Sequence, residues 1–143
     1  MAAAPLAFEI DHLVTFEETN LVGNVYYVNH LRWQGECRER FLHERAPGVI
    51  AALADDLALV TIRCSCEYFG ELFAFDRITV RMTLGSVRQH RVLMRFHYLR
   101  GDELVARGEQ EVGCMTRTPG GLRATAVPAE LRAALADYDM AAP

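Results

Sequence analysis

The chain has no lysine; all fifteen of its basic residues are arginine. Schiff-base chemistry and a lysine general base are thereby excluded, because a guanidinium stays protonated at any working pH. Positive charge is also the minority sign. The formal net charge of -4 leaves no electrostatic footprint for nucleic acid, although an acidic carrier protein can still dock on a local arginine patch. Cysteine is sparse. Of the four present, Cys64 and Cys66 in "VTIRCSCEYF" share one face of a strand and lack metal-ligand spacing. They read as buried thiols of a cytoplasmic protein, with no disulfide frame, no metal and no cofactor. No apolar run reaches membrane-spanning length, and "MAAAPLAFEI" lacks the charged region of an export signal. What the chain does have is apolar content, 51% of 143 residues, enough for one compact core. A single domain over 1–143 is expected, with residues 1–6 and about 137–143 as mobile ends.

Hydrophobic periodicity gives the element order. "FEIDHLVTF" alternates Phe8, Ile10, Val14 and Phe16 as a strand does. A polar turn follows, then a helix from about Tyr27 to Glu44 that stops before Pro47-Gly48, with Asn24 as a candidate cap. Val28, Leu31, Gly35, Cys37, Phe41 and Leu42 spread around more than half of it, which predicts a helix wrapped by sheet, with Gly35 admitting a close backbone. "GVIAALADD" reads as a second short helix.

From Leu59 the period becomes two. "LVTIRCSCEYF" places Val60, Ile62, Cys64, Cys66 and Tyr68 on one side and Thr61 on the more polar other. "DRITVRMTL", "HRVLMRFHYL", "ELVARGEQEVGCMT" and "GGLRATAV" complete four or five strands, with "RGDE" as a hairpin turn. "PAELRAALADYDM" reads as a short surface helix. This is an α+β order. It predicts a curved antiparallel sheet of five or six strands wrapped around one long helix, the hot-dog arrangement. Its edge strands favour pairing between protomers.

The stretch "FEETNLVGNVYYVNHLRWQGECRERFL" then becomes specific. Glu18-Thr19, Gly23, Tyr26-Tyr27, Asn29, Trp33 and Arg38 resemble the first motif of hot-dog thioesterases of the 4-hydroxybenzoyl-CoA thioesterase type. Three positions depart from that pattern. Asn20 replaces the family's usual aspartate, His30 its usual tyrosine, and Gly35 the helix glutamate. The first departure, with "NLVGNVYYVN" and "LRWQGECRE", resembles the enediyne polyketide thioesterase subgroup, whose members also lack the acidic catalytic residue. The resemblance implies hydrolysis of a polyene thioester on an acyl carrier protein of an iterative polyketide synthase. It also implies a homo-oligomer, as a tetramer built from two dimers.

A thioester needs little activation, so the task is to hold its carbonyl oxygen where negative charge develops. The first turn of a helix presents unpaired N–H groups and the positive dipole end, which assigns the oxyanion to the backbone N–H of Tyr27. Asn20 is no base; its amide can donate to the oxyanion and accept from a water. Asparagine is also a common turn residue, and both readings stay open from position alone. Arg38 suits the ketone oxygen of a β-keto thioester, or the carboxylate that hydrolysis frees; a solvated helix charge is its plainer alternative.

Eleven residues separate Tyr27 from Arg38, about 16 Å along a helix. Arg38 therefore belongs to a site shared between subunits, or to the acyl channel. Asn29, His30 and Thr61 are candidate substrate contacts, with Asn29 as a brace of the turn. Glu17 and Glu18 read as solvated turn charges, and Cys37 as core. Two other functions compete: an acyl-CoA thioesterase of the broader family, and a non-catalytic acyl-binding module.

Overall fold

The computed structural model describes residues 6–139. The chain runs β1 (Phe8–Leu13), a 3-10 turn (Phe16–Glu18), α1 (Val28–Arg45) and α2 (Pro47–Leu53). Then come β2 (Leu57–Tyr68), β3 (Arg77–Val87), β4 (Arg91–Arg100), β5 (Glu103–Thr118), β6 (Gly121–Ala124) and α3 (Ala129–Ala136). The strands form one antiparallel sheet in the order β1-β3-β4-β5-β2, with β6 beside the end of β5. It is the hot-dog fold. The "RGDE" turn joins β4 to β5 with Gly101 at φ 60°, a left-handed conformation that suits glycine.

Register shifts at Thr61/Arg63, Leu84/Ser86 and Tyr98/Leu99 introduce the extra twist that curls a sheet. α1 packs against the inner face, its Trp33, Cys37 and Phe41 fully buried in the same core as Val80, Met82, Phe96 and Tyr98.

The helix presents a different stripe from the expected one. His30, Trp33, Gln34, Cys37, Phe41 and Leu42 are buried, whereas Val28 is exposed and Leu31 half-buried. Two polar residues hold positions where an apolar stripe was sought, so the buried face is narrower than the hydrophobic count implied. Gly35 admits no close backbone, since a Cβ there would meet nothing within 4 Å. Asn24 is not the cap. Tyr27 occupies that position without a side-chain bond, while the Asn24 amide donates to Glu71 Oε1 at 3.2 Å.

The end helix is more than a surface feature. Leu131 and Leu135 are buried, and Tyr138 stacks edge-on against Phe8 and Phe41. Residues 137–139 are therefore docked rather than mobile. Residues 1–5 and 140–143, the rest of the expected mobile ends, lie outside the described residues.

Candidate active site

Glu18 organises the loop between β1 and α1. It was expected in solvent, as Glu17 is, yet it is only 1% exposed. Its carboxylate accepts from His12 Nε2 at 2.7 Å, the Thr15 backbone N–H at 2.9 Å, Arg32 Nη2 at 3.0 Å and Trp33 Nε1 at 2.8 Å. Burial alone would raise its pKa. The donors, His12 foremost, outweigh burial and bring it down to about 2. The Glu18 carbonyl accepts from the Tyr26 N–H at 2.8 Å and from Asn29 Nδ2 at 2.9 Å. One residue thus ties β1, the loop and the first turn of α1 together. With its oxygens occupied by fixed donors, it is not available to activate water.

Two residues on, Asn20 is exposed and forms a side-chain turn. Its Oδ1 accepts from the Val22 N–H at 3.0 Å, and its main chain pairs with Asn24 and Gly23. Gly23, at φ 96°, closes this turn in a conformation that a side chain would strain. The oxygen is spent on the turn and the Nδ2 donor is left over, so the two readings of Asn20 are compatible. The Tyr27 N–H meets no acceptor among the described residues, as the head of a helix requires.

Further along α1, Arg38 faces the sheet. Its Nη1 donates to Gln110 Oε1 at 2.7 Å and to Thr61 Oγ1 at 3.2 Å, and burial lowers its pKa from the ordinary arginine value. Thr61 reaches it because of the bulge. Thr61 pairs with the buried Val112, whereas Arg63 pairs with Glu111 on the outer face. Ile62 takes up the extra residue, so simple alternation assigned Thr61 to the wrong side.

His30 is 3% exposed, its ring packed among Trp33, Tyr68 and Tyr98. Burial lowers its pKa to about 4, so it is neutral at physiological pH. Burial pushes the Cys37 thiol up to about 12, the property of a core residue and not of a nucleophile.

The expected residues therefore fall into two groups. Asn20, Tyr27 and Asn29 gather at the head of α1; Arg38 and Thr61 meet beside β2. Gln34 and Gln110 went unremarked in the sequence. A signal existed for Gln110, which shares the parity of Ala106, Val112 and Cys114 on the buried side of β5.

A family profile described as "Thioesterase-like superfamily" matches residues 14–135. Among solved structures the chain is similar to the dynemicin thioesterase, described for its polyene binding. The two share 51% identity and a TM-score of 0.92, over 95% of this chain and 99% of that one. It shares the fold of a 4-hydroxybenzoyl CoA thioesterase bound to 4-hydroxybenzoyl CoA, at 19% identity and a TM-score of 0.80, over 90% of this chain and 98% of that one. It is also 25% identical over 104 residues to 1,4-dihydroxy-2-naphthoyl-CoA hydrolase of Prochlorococcus marinus (strain NATL2A), covering 64% of each protein. From the matched profile and the shared curved sheet, the chain belongs to the thioesterase-like superfamily and is a hot-dog thioester hydrolase.

Proposed function

We propose that the protein hydrolyses a β-keto polyene thioester held on an acyl carrier protein in enediyne biosynthesis. The β-keto acid so released loses CO₂, leaving a methyl ketone; a hydrocarbon polyene would instead require a β-hydroxy acid, which loses water together with CO₂. The observation that carries this reading is the uncharged donor pair at the head of α1, the Asn20 amide and the Tyr27 N–H, beside a carboxylate whose acceptor sites are filled. The likeness to the dynemicin thioesterase at 51% identity supports the substrate class.

In this mechanism the thioester oxygen lies against the Tyr27 N–H and Asn20 Nδ2. Water adds to the carbonyl carbon, and the two donors hold the oxyanion. The carbon–sulfur bond then breaks, the sulfur leaving as a thiolate that takes up the proton released by the water. In the β-keto acid the bond to the carboxyl carbon breaks next. Its electron pair forms an enol, which tautomerises to the ketone. A guanidinium beside the ketone favours that step, the role given to Arg38.

Asn29 and His30 flank the acyl entrance in this scheme, and Thr61 orients Arg38. Since Arg38 stands beside β2, an edge strand of the sheet, the site is completed where two copies abut. We favour a homo-oligomer, a tetramer of two dimers.

Incubation with a polyketide thioester loaded on its carrier protein tests this. Release of acid and CO₂ is expected. Hydrolysis of simple coenzyme A esters alone would instead establish the acyl-CoA thioesterase reading, which the hydrolase relative favours. Binding without turnover would leave an acyl-binding module.

A further inference from the structure

Three successive turns of α1 present polar side chains to the sheet at His30, Gln34 and Arg38, and each keeps a buried atom with no partner among the described residues. These atoms are both ring nitrogens of His30, Oε1 of Gln34 and Nε of Arg38. Gln34 is the sharpest case, at 0% exposure. Its amide N–H group donates to the Ser65 carbonyl at 2.9 Å. The orientation is thereby fixed, because a reversed amide would set two carbonyl oxygens against each other. Oε1 must then point away, with nothing to accept from.

The strand behind it is shaped for this side chain. A Cβ at Gly108 would collide with the Gln34 amide and the Ser65 carbonyl. β5 thus carries a glycine in mid-strand, which weakens a strand, where Gln34 passes. An unpaired buried acceptor is destabilising, and such a group calls for a partner.

We propose that Gln34 accepts a hydrogen bond from a hydroxyl group carried part-way along the acyl chain of the substrate. It rests on the thioesterase reading, and sets this substrate apart from an unfunctionalised hydrocarbon tail. The chemistry of the row fixes the class. Gln34 Oε1 can only accept, so the chain must donate there. Arg38 Nε, one helical turn further and about 6 Å along α1, can only donate, and in the proposed mechanism it serves the ketone of a chain bound by the neighbouring copy. The neutral His30 ring offers one donor and one acceptor further toward the helix head. Tyr68 stands beside this row, its ring edge-on to His30 and its hydroxyl donating to the Tyr27 carbonyl at 2.9 Å.

The test compares 3-oxoacyl thioesters of equal length in which a single hydroxyl is walked along the chain, with the hydrocarbon chain as reference. One isomer is expected to exceed the reference in kcat/KM by about tenfold or more, the worth of one buried hydrogen bond. Gln34→Met should erase that preference while still turning over the hydrocarbon ester. Gly108→Ala, which displaces the amide, should do the same by an independent route. Absence of any favoured isomer, or a preference that survives Gln34→Met, overturns the proposal.

Calorimetry with the free hydroxy acids gives the same comparison without turnover. A protein inert toward every ester would defeat the thioesterase reading and still report on Gln34. A water filling the contact in a complex with the favoured isomer also counts against it.

Discussion

At position 20 the two polar atoms of one side chain have separate employments. Oδ1 closes the turn through the Val22 N–H, and Nδ2 is the atom to which the proposed oxyanion role falls. Aspartate retains the first function and lacks the second. Asn20→Asp is therefore expected to fold with unchanged stability in urea titration and to lose turnover by about 10²–10³-fold, the usual cost of one oxyanion donor. Wild-type turnover in both Asn20→Asp and Asn20→Ala, the latter with no carboxylate to act in the amide's place, would show that the donor is idle.

Two other residues predict how the protein meets acid. The unfolded chain protonates His30 near 6.5, whereas the buried ring resists until about 4. Stability is thus lost as pH falls through that interval, because the unfolded state binds the extra proton. Glu18 acts in a lower window. Its folded pKa of about 2 lies below the ordinary 4.5, so its contribution is complete above 4.5 and disappears as pH falls towards 2. Each shift corresponds to about 3 kcal/mol. Denaturant midpoints measured from pH 7 to 2.5 should fall across both windows. His30→Phe should flatten the upper one and Glu18→Gln the lower. Unchanged slopes in these variants would mean that neither group is held as the contacts imply.

Among the elements, α1 holds most of the candidate residues and departs furthest from its hydrophobic pattern. Its length and position follow from the apolar spacing and from Pro47-Gly48 beyond its end, but its buried face includes His30 and Gln34, which no hydrophobic count selects. Its head yields a clean test. Tyr27 has φ -55°, which a proline ring accepts, and its N–H is bonded to no acceptor among the described residues, so Tyr27→Pro removes the donor without disturbing the helix. Compared with Tyr27→Ala, it should fold equally well by circular dichroism and hydrolyse the thioester about 10²–10³-fold more slowly. Equal rates would move the oxyanion elsewhere.

In β2 the lesson is of another kind. Alternation is a rule about paired residues, and one unpaired Ile62 inverts it, turning Thr61 inward to Arg38. No local feature of "LVTIRC" announces the bulge, since it is defined by register against β5.

For the whole molecule, the exposed face of β2 at the edge of the sheet is where the proposed oligomer would join and complete the site. Ile62 is 42% exposed there. Ile62→Arg is expected to dissociate the oligomer in sedimentation and to abolish most turnover together with it. A fully active monomer would confine the site to one chain.

The sequence by itself determined the order of elements, the long helix within a curved sheet, and the stretch from Glu18 to Arg38 that carries the family resemblance. These are properties of local periodicity and residue type, and a chain carries them wherever it goes. Only the tertiary structure decided that Glu18 is buried beneath four donors, that Thr61 faces Arg38, and that Gln34 lies against a glycine seventy-four positions away. Burial, strand register and the pairing of distant polar atoms depend on which segments meet, and that is set by the packing of the entire core.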